Sequence, residues 1–163
     1  MPILLCRVDD RLIHGQVVVG WGAQLGLDVI MVVDDELSDS DWEQDLYRAG
    51  LPNDMLARFS SVEDAAAEIP ALTSSDARCF ILTRDLETMR RLAEVGALDG
   101  IEVNLGGLHD AAGRQPVLPY LFLAKSDRKE LERLRDSGVR VTARDVPSAR
   151  KVGLEELLRT RPD

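Results

Sequence analysis

The stretch that decides the fold is Arg7-Val8-Asp9-Asp10-Arg11-Leu12-Ile13-His14-Gly15-Gln16. It follows the apolar run 3–6, which is typical of a buried first strand. It precedes a helical pattern in which Val17, Trp21 and Leu25 recur on one face. The stretch therefore predicts a turn between a strand and a helix, and this turn carries two carboxylates, a guanidinium and one of the chain's two histidines.

Apolar runs and helical patterns alternate along the rest of the chain. Further strand-like runs cover residues 28–34, 55–59, 78–83, 101–105, 120–124 and 139–143. This alternation predicts an α/β fold with a mainly parallel sheet and right-handed crossovers. The 163 residues fit one domain over residues 1–163, and a turn at the carboxyl end of a central strand is where such a sheet usually binds its ligand.

Turn and capping residues predict where individual elements begin and end. Ser61 opens a capping box for a helix that runs to Pro70. Ser126 caps a later helix, which ends before Gly138. The run 120–124 is expected to be a short strand at the edge of the sheet, because prolines precede it.

Composition excludes several classes of protein. The chain has 29 acidic and 20 basic residues, a formal net charge of −9, which repels nucleic acid and anionic membranes. Cys6 and Cys79 lie in apolar runs without metal-ligand spacing, which favours buried thiols in a reducing compartment. The sequence shows neither a signal peptide nor a membrane span, so we expect a cytoplasmic protein that binds no nucleic acid.

His14 is the first candidate for chemistry. A histidine just inside the amino end of a helix is kept neutral and nucleophilic, and an anion added to it is stabilised by backbone N–H groups. Gly15 lets the backbone approach such an anion, and Arg11 offers a planar fork for phosphoryl oxygens. The alternatives are a loop histidine bonded to a carbonyl and a surface ion pair of Arg11 with Asp9 or Asp10.

The sequence does not distinguish the roles of the two carboxylates of the turn. Either Asp9 or Asp10 can accept a hydrogen bond from His14 and fix its tautomer. The other can orient Arg11 or cap the turn. Gln16 either caps the helix or contacts a bound phosphate.

A second loop supplies weaker candidates. Gly106 and Gly107 follow the fifth strand-like run, where they either let the backbone approach a phosphoryl group or form a tight turn. His109 comes next, without a helix start or a cation close to it in sequence, and is interpreted as a bystander or an indirect supporting residue.

The string Asp9-Asp10-Arg11-Leu12-Ile13-His14-Gly15-Gln16-Val17, with Trp21 after it, closely resembles the amino end of a known family. This family is the IIB components of the mannose/fructose/sorbose family of the bacterial sugar phosphotransferase system. A weaker resemblance runs through Val32-Val33-Asp34-Asp35, Asn104-Leu105-Gly106-Gly107 and Arg140-Val141-Thr142-Ala143. The resemblance implies the same α/β fold, with helices on both faces of the sheet.

The resemblance also implies an activity. His14 would accept a phosphoryl group from a IIA phosphohistidine and pass it to a sugar during uptake through membrane IIC and IID partners. The chain would then be a protein-N(pi)-phosphohistidine–sugar phosphotransferase subunit in the cytoplasm, or at the inner membrane through its partners. Neither a metal nor a cofactor is needed, because a phosphoramidate donor is already activated. The alternative is a regulatory module that is phosphorylated without passing its phosphoryl group to sugar.

Overall fold

A seven-stranded sheet carries the fold in the computed structural model, which describes residues 3–159. Its strands are β1 (Ile3–Asp9), β2 (Val29–Val33), β3 (Leu56–Ser60), β4 (Cys79–Thr83), β5 (Val103–Gly107), β8 (Val141–Ala143) and β9 (Val152–Gly153). Their order is β3-β2-β4-β1-β5-β8-β9. All neighbours are parallel except β8 and β9. Strands β6 (Gln115–Leu118) and β7 (Leu121–Leu123) form a separate antiparallel pair.

Six helices connect or follow the strands within residues 3–159. They are α1 (a π-helical part, Gln16–Gly22, and an α-helical turn, Ala23–Leu25), α2 (Asp41–Ala49), α3 (Val62–Ser74), α4 (Leu86–Glu94), α5 (Lys125–Asp136) and α6 (Leu154–Arg159). A single turn of 3₁₀-helix, Leu37–Asp39, precedes α2. The π-helical start of α1, after the loop that follows β1, is a feature that often accompanies functional sites.

The two faces of the sheet bury separate apolar clusters, because successive side chains of a strand point to opposite faces. Met31 of β2 lies in one cluster, which α3 to α6 cover. Its neighbour Ile30 lies in the other, together with Val17 and Trp21 of α1. The predicted α/β fold with helices on both faces of a mainly parallel sheet is therefore confirmed.

Both cysteines belong to the core, as the sequence predicts. Cys6 and Cys79 are buried and unbonded. Burial raises the pKa of both thiols, that of Cys79 to about 11, so each behaves as a small apolar side chain.

Three predictions about individual elements are wrong. Helix α3 continues through Pro70 to Ser74, because the buried Leu72 beyond the proline holds the last turn on the core. Helix α5 begins before Ser126, at Lys125, and Asp127 in its first turn accepts a hydrogen bond from the backbone N–H of the preceding residue, Ala124 (2.8 Å).

The prediction that the run 120–124 lies at the edge of the main sheet is also wrong. Its strand β7 pairs instead with β6 as a hairpin. The buried Leu121 and Leu123 turn toward the cluster under α3 to α6. The predicted domain 1–163 includes residues 1–2 and 160–163, which lie outside the described residues.

None of the helices described within residues 3–159 combines the length and the hydropathy that a membrane span requires. The same residues contain no group of three or more His, Cys, Asp or Glu side chains placed to hold a metal ion.

One charged side chain lies in the middle of the sheet. Arg7 of β1 is fully buried on the face that α1 covers. Its neighbour in β5 is Asn104, and Gly106 follows two residues later on the same face. A Cβ added to Gly106 would overlap the guanidinium of Arg7, so glycine at this position makes room for the arginine.

Gly106→Ala should therefore destabilise the fold. The added methyl group forces the buried guanidinium away from its partners, and overpacking of this kind costs roughly 2–3 kcal/mol. Urea unfolding measures the loss. The control is Gly153→Ala, because a Cβ at Gly153 meets nothing within 4 Å. Equal stability of the two variants would show that Arg7 moves aside without cost.

Candidate functional site

The loop 10–15 lies at the carboxyl end of β1, between β4 and β5. The chain turns sharply here, because the N–H of Leu12 donates to the carbonyl of Asp9 (2.9 Å). Leu12 is fully buried and has φ 55°, a left-handed conformation that is strained for leucine. Burial of Leu12 in the core thus holds the turn that presents the following residues.

The carboxylate of Asp9 is the centre of the site. Its Oδ2 accepts a hydrogen bond from Nη2 of Arg7 (3.0 Å) and contacts Nε2 of His14 (3.0 Å). Its Oδ1 accepts from the backbone N–H of Arg11 (3.1 Å). Asp9 itself is buried, so these groups replace the water that would otherwise solvate its charge.

These contacts keep Asp9 ionised. Burial alone would raise its pKa, but the hydrogen bond from His14, the charge of Arg7 and the N–H of Arg11 lower the pKa to about 2. A carboxylate can only accept hydrogen bonds. Nε2 of His14 must therefore carry the proton, and Nδ1 is left with its lone pair.

Arg7 is held by four groups besides Asp9. Its Nη1 donates to Oδ1 of Asn104 (2.7 Å) and to the carbonyl of Arg144 (3.1 Å), and its Nη2 donates to the carbonyl of Asp145 (3.0 Å). The guanidinium carbon lies 5.2 Å from the ring centre of Trp21, within the range of a cation–π contact. Arg7 thus ties β1, β5, α1 and the loop after β8 together beneath Asp9.

Arg11 points the other way, toward solvent. Its side chain is 38% exposed, with Nε 3.4 Å from Oδ1 of Asp9. Its Nη2 donates to Oε1 of Gln16 (2.7 Å). Gln16 therefore orients Arg11, and the expected helix cap is not formed, since no side chain caps the start of α1.

Within residues 3–159, the Asp10 side chain forms no hydrogen bond or ion pair with His14 or Arg11. Its Oδ1 lies 2.6 Å from Nδ1 of His109, and its Oδ2 accepts from the backbone N–H of His109 (2.8 Å). The N–H of Asp10 donates to the carbonyl of Gly107 (3.0 Å). Asp10 thus joins the loop after β1 to the loop after β5, and His109 belongs to the site's border.

The remaining candidates differ in what surrounds them. His14 precedes the helix instead of lying just inside it, with Gly15 at the N-cap. An added Cβ on Gly15 would meet nothing within 4 Å, whereas one on Gly107 would lie 3.3 Å from both Asp9 and His109. Gly106 faces Arg7. Open space therefore adjoins Gly15, while Gly106 and Gly107 let side chains approach each other closely.

Sequence reasoning missed Arg7 and its supporting residue Asn104. One signal for Arg7 was present: a charge inside an apolar strand run, two residues before Asp9, must share a face with it. Nothing in the sequence indicates that Asn104 or the carbonyls of Arg144 and Asp145 complete the arrangement, because these lie 97 to 138 residues away along the chain.

Comparison with known proteins adds independent findings. The sequence pattern of the family described as PTS system sorbose subfamily IIB component matches residues 3–162. The chain is 32% identical over 156 residues to the N-acetylgalactosamine-specific phosphotransferase enzyme IIB component 1 of Escherichia coli K12, covering 91% of this chain and 94% of that protein. It is 28% identical over 158 residues to the mannose-specific EIIAB component of the same organism, covering 97% of this chain and 49% of that protein. The crystal structure of the IIBSor domain of the sorbose permease from Klebsiella pneumoniae aligns with a TM-score of 0.85 and 26% identity, covering 99% of each chain.

The lowered pKa of Asp9 predicts how stability depends on pH. A carboxylate whose pKa falls from 3.8 to about 2 on folding adds about 2 kcal/mol to the free energy of unfolding above about pH 4. This contribution is lost as the pH falls to about 2. The stability difference between the wild type and Asp9→Asn should therefore shrink over that interval in urea unfolding.

Asp45→Asn is the matched control, because the Asp45 side chain is 77% exposed; its stability difference from the wild type should stay small throughout. A difference for Asp9→Asn that is the same at about pH 5 and at about pH 2 would contradict the ionised, buried carboxylate.

Proposed function

Since the chain belongs to the sorbose-subfamily IIB components of the phosphotransferase system, and is thus a phosphocarrier and sugar phosphotransferase component, we propose that His14 carries the phosphoryl group. The group arrives from a IIA phosphohistidine and leaves for a sugar. One observation carries this proposal: the ionised Asp9 lies 3.0 Å from Nε2 of His14 and directs the lone pair to Nδ1.

In the first step, Nδ1 of His14 attacks the phosphorus of the donor phosphohistidine. The new P–Nδ1 bond forms as the donor's P–N bond breaks, and the imidazole becomes more positive. Asp9 stabilises this charge through its hydrogen bond to Nε2–H, without taking the proton. The site needs to position the ring and balance charge, since the donor is already activated.

Arg11 binds the transferred group in this proposal. Its Nη2 is turned toward Gln16 and its Nε toward Asp9, while Nη1 has no partner among residues 3–159. This leaves N–H groups of the fork for phosphoryl oxygens, with Gly15 leaving room beside them. Arg7 has a different role, because it is fully buried and its hydrogen bonds go to the protein.

In the second step, a sugar hydroxyl oxygen attacks the phosphorus, the hydroxyl proton passes to water, and the P–Nδ1 bond breaks. Its electron pair returns to Nδ1, which restores the starting tautomer. The side chain of His14 is 17% exposed, on a loop at the carboxyl end of the central strand β1. Two partners can therefore reach the same imidazole in succession.

The partners follow from the family. One relative is itself named an EIIAB component, and the present chain spans about half of it. We infer that a separate or fused IIA protein is the donor, and that membrane IIC and IID components present the sugar. The protein then works in the cytoplasm and meets the inner membrane through these partners.

Transfer of labelled phosphate from phosphoenolpyruvate, through the general phosphotransferase proteins and a IIA protein, tests the proposal. The label should appear on His14 when mapped by mass spectrometry at neutral or alkaline pH. His14→Ala should accept none, and His109→Ala should still be labelled. Vesicles that contain IIC and IID, with sugar, should then drain the label into sugar phosphate.

Each deviation has a defined meaning in this experiment. Label on His109 or on a serine refutes the role of His14. Label that returns to IIA but never reaches any sugar refutes the transport role, and supports the alternative of a regulatory module.

Arg11→Ala should slow transfer by roughly 10²-fold or more, as expected when one preorganised electrostatic group is lost. Thermal stability should hardly change, because the side chain is partly exposed. Arg11→Lys should recover only part of the rate, since a point charge cannot reproduce the fork. Rapid-quench measurement of labelled transfer provides the rate, and a native rate for Arg11→Ala would show that Arg11 does not contact the phosphoryl group.

A further inference from the structure

Two histidine–carboxylate pairs lie side by side at the end of β1. Asp9 and Asp10 are adjacent in the chain, and each holds one imidazole, at 3.0 Å for His14 and 2.6 Å for His109. The proposed function uses only the first pair. The second pair, Asp10 with His109, joins residues 99 positions apart in sequence. The transfer steps proposed for His14 give this pair no role.

The ring of His109 and the carboxylate oxygen that Arg11 contacts both lie beside Gly107. A Cβ added to Gly107 would lie 3.3 Å from Oδ1 of Asp9 and 3.3 Å from Cε1 of His109. The two atoms therefore lie close to each other beside this glycine. Arg11 approaches that same Oδ1, with its N–H at 3.1 Å and its Nε at 3.4 Å. His109 therefore lies near the carboxylate that also contacts Arg11 and His14.

His109 is fixed in place with one nitrogen free. Asp10 holds both its backbone N–H and its Nδ1, and Nη1 of Arg114 donates to its carbonyl (3.0 Å). Arg114 is in turn held by Asp127, at 3.3 Å from its Nε. Among residues 3–159, Nε2 of His109 has no hydrogen-bond partner. The side chain is 44% exposed, so this nitrogen is accessible to a bound group.

The charges around His109 decide what its Nε2 can do. Asp10, in contact with Nδ1, carries a negative charge, and Arg114, 3.7 Å from Oδ2 of Asp10, carries a positive one. A neutral ring that donates from Nδ1 to Asp10 has a lone pair on Nε2, which repels a phosphoryl oxygen. A protonated ring keeps the bond to Asp10 and gains a second donor, and a nearby phosphoryl group of roughly two negative charges favours that form.

We propose that His109 is a second ligand of the phosphoryl group, with Nε2–H donating a hydrogen bond to a phosphoryl oxygen on His14 while Nδ1 stays on Asp10. This inference rests on the proposed function of His14. The phosphoryl group is then held from two sides, by the fork of Arg11 and by the imidazolium of His109.

NMR titration of the imidazole protons tests this directly, because the chain contains two histidines and His109→Asn identifies the signals by subtraction. In the protein phosphorylated through IIA, the pH at the midpoint of the His109 titration should be higher by about one unit or more than in the unphosphorylated protein. A contact should keep most of this difference in about 0.5 M KCl, whereas a long-range effect is screened. An unmoved midpoint, or a difference that vanishes in salt, refutes the inference.

The His109→Asn variant provides the functional half of the test. Asparagine retains an N–H for Asp10 but lacks the second nitrogen, so transfer to and from IIA should slow by about 10-fold or more. Its thermal unfolding should stay close to that of the wild type. A native transfer rate for His109→Asn refutes the second contact and leaves His14 as the carrier, whereas a wild-type protein that takes up no phosphate at all refutes the proposed function.

Discussion

The buried ion pair between Arg7 and Asp9 is the interaction on which the rest of the site depends. Both side chains are fully shielded from solvent, 3.0 Å apart, and taking two charges out of water is costly unless every remaining donor and acceptor is used. Here Asn104 and the carbonyls after β8 accept hydrogen bonds from Nη1 and Nη2 of Arg7, while Arg11 and His14 bind the other sites of Asp9. Nε of Arg7 is the one donor of this guanidinium without a partner among the described residues. Loss of either partner would leave a buried, uncompensated charge, at a cost of about 3–5 kcal/mol.

The site uses two arginines for two different tasks, one buried against Asp9 and one facing solvent. Arg7 is buried and neutralises Asp9, so the carboxylate can stay ionised and set the tautomer of His14. Arg11 is 38% exposed, which suits the phosphoryl-binding role proposed for its fork. A phosphocarrier has to bind its phosphoryl group without holding it permanently, and an outer cation that is partly solvated suits this requirement better than a buried one.

The sequence predicts the fold class, the two-faced burial of the strands and the placement of His14, Asp9 and Arg11 on one turn, because these depend on local periodicity and on neighbours within a few residues. It cannot assign Asp10, whose partner His109 lies on another loop and is reached only when β1 and β5 pair. The sequence predicts that α3 ends at Pro70, because the missing N–H of proline is visible locally. The helix continues because Leu72 is buried in the core, and this contact exists only in the folded structure. The burial of Arg7 depends in the same way on Gly106, which looks like an ordinary turn residue until the strands are aligned.

The central claim is that Asp9 fixes the tautomer of His14 before any phosphoryl group arrives. Long-range ¹H–¹⁵N NMR of the unphosphorylated protein at neutral pH tests it, because the nitrogen shifts of an imidazole distinguish a protonated nitrogen from a bare one. The account predicts a protonated Nε2 and a bare Nδ1 on His14, and a loss of this preference in Asp9→Asn. A wild-type His14 with the proton on Nδ1 and a bare Nε2 would contradict it.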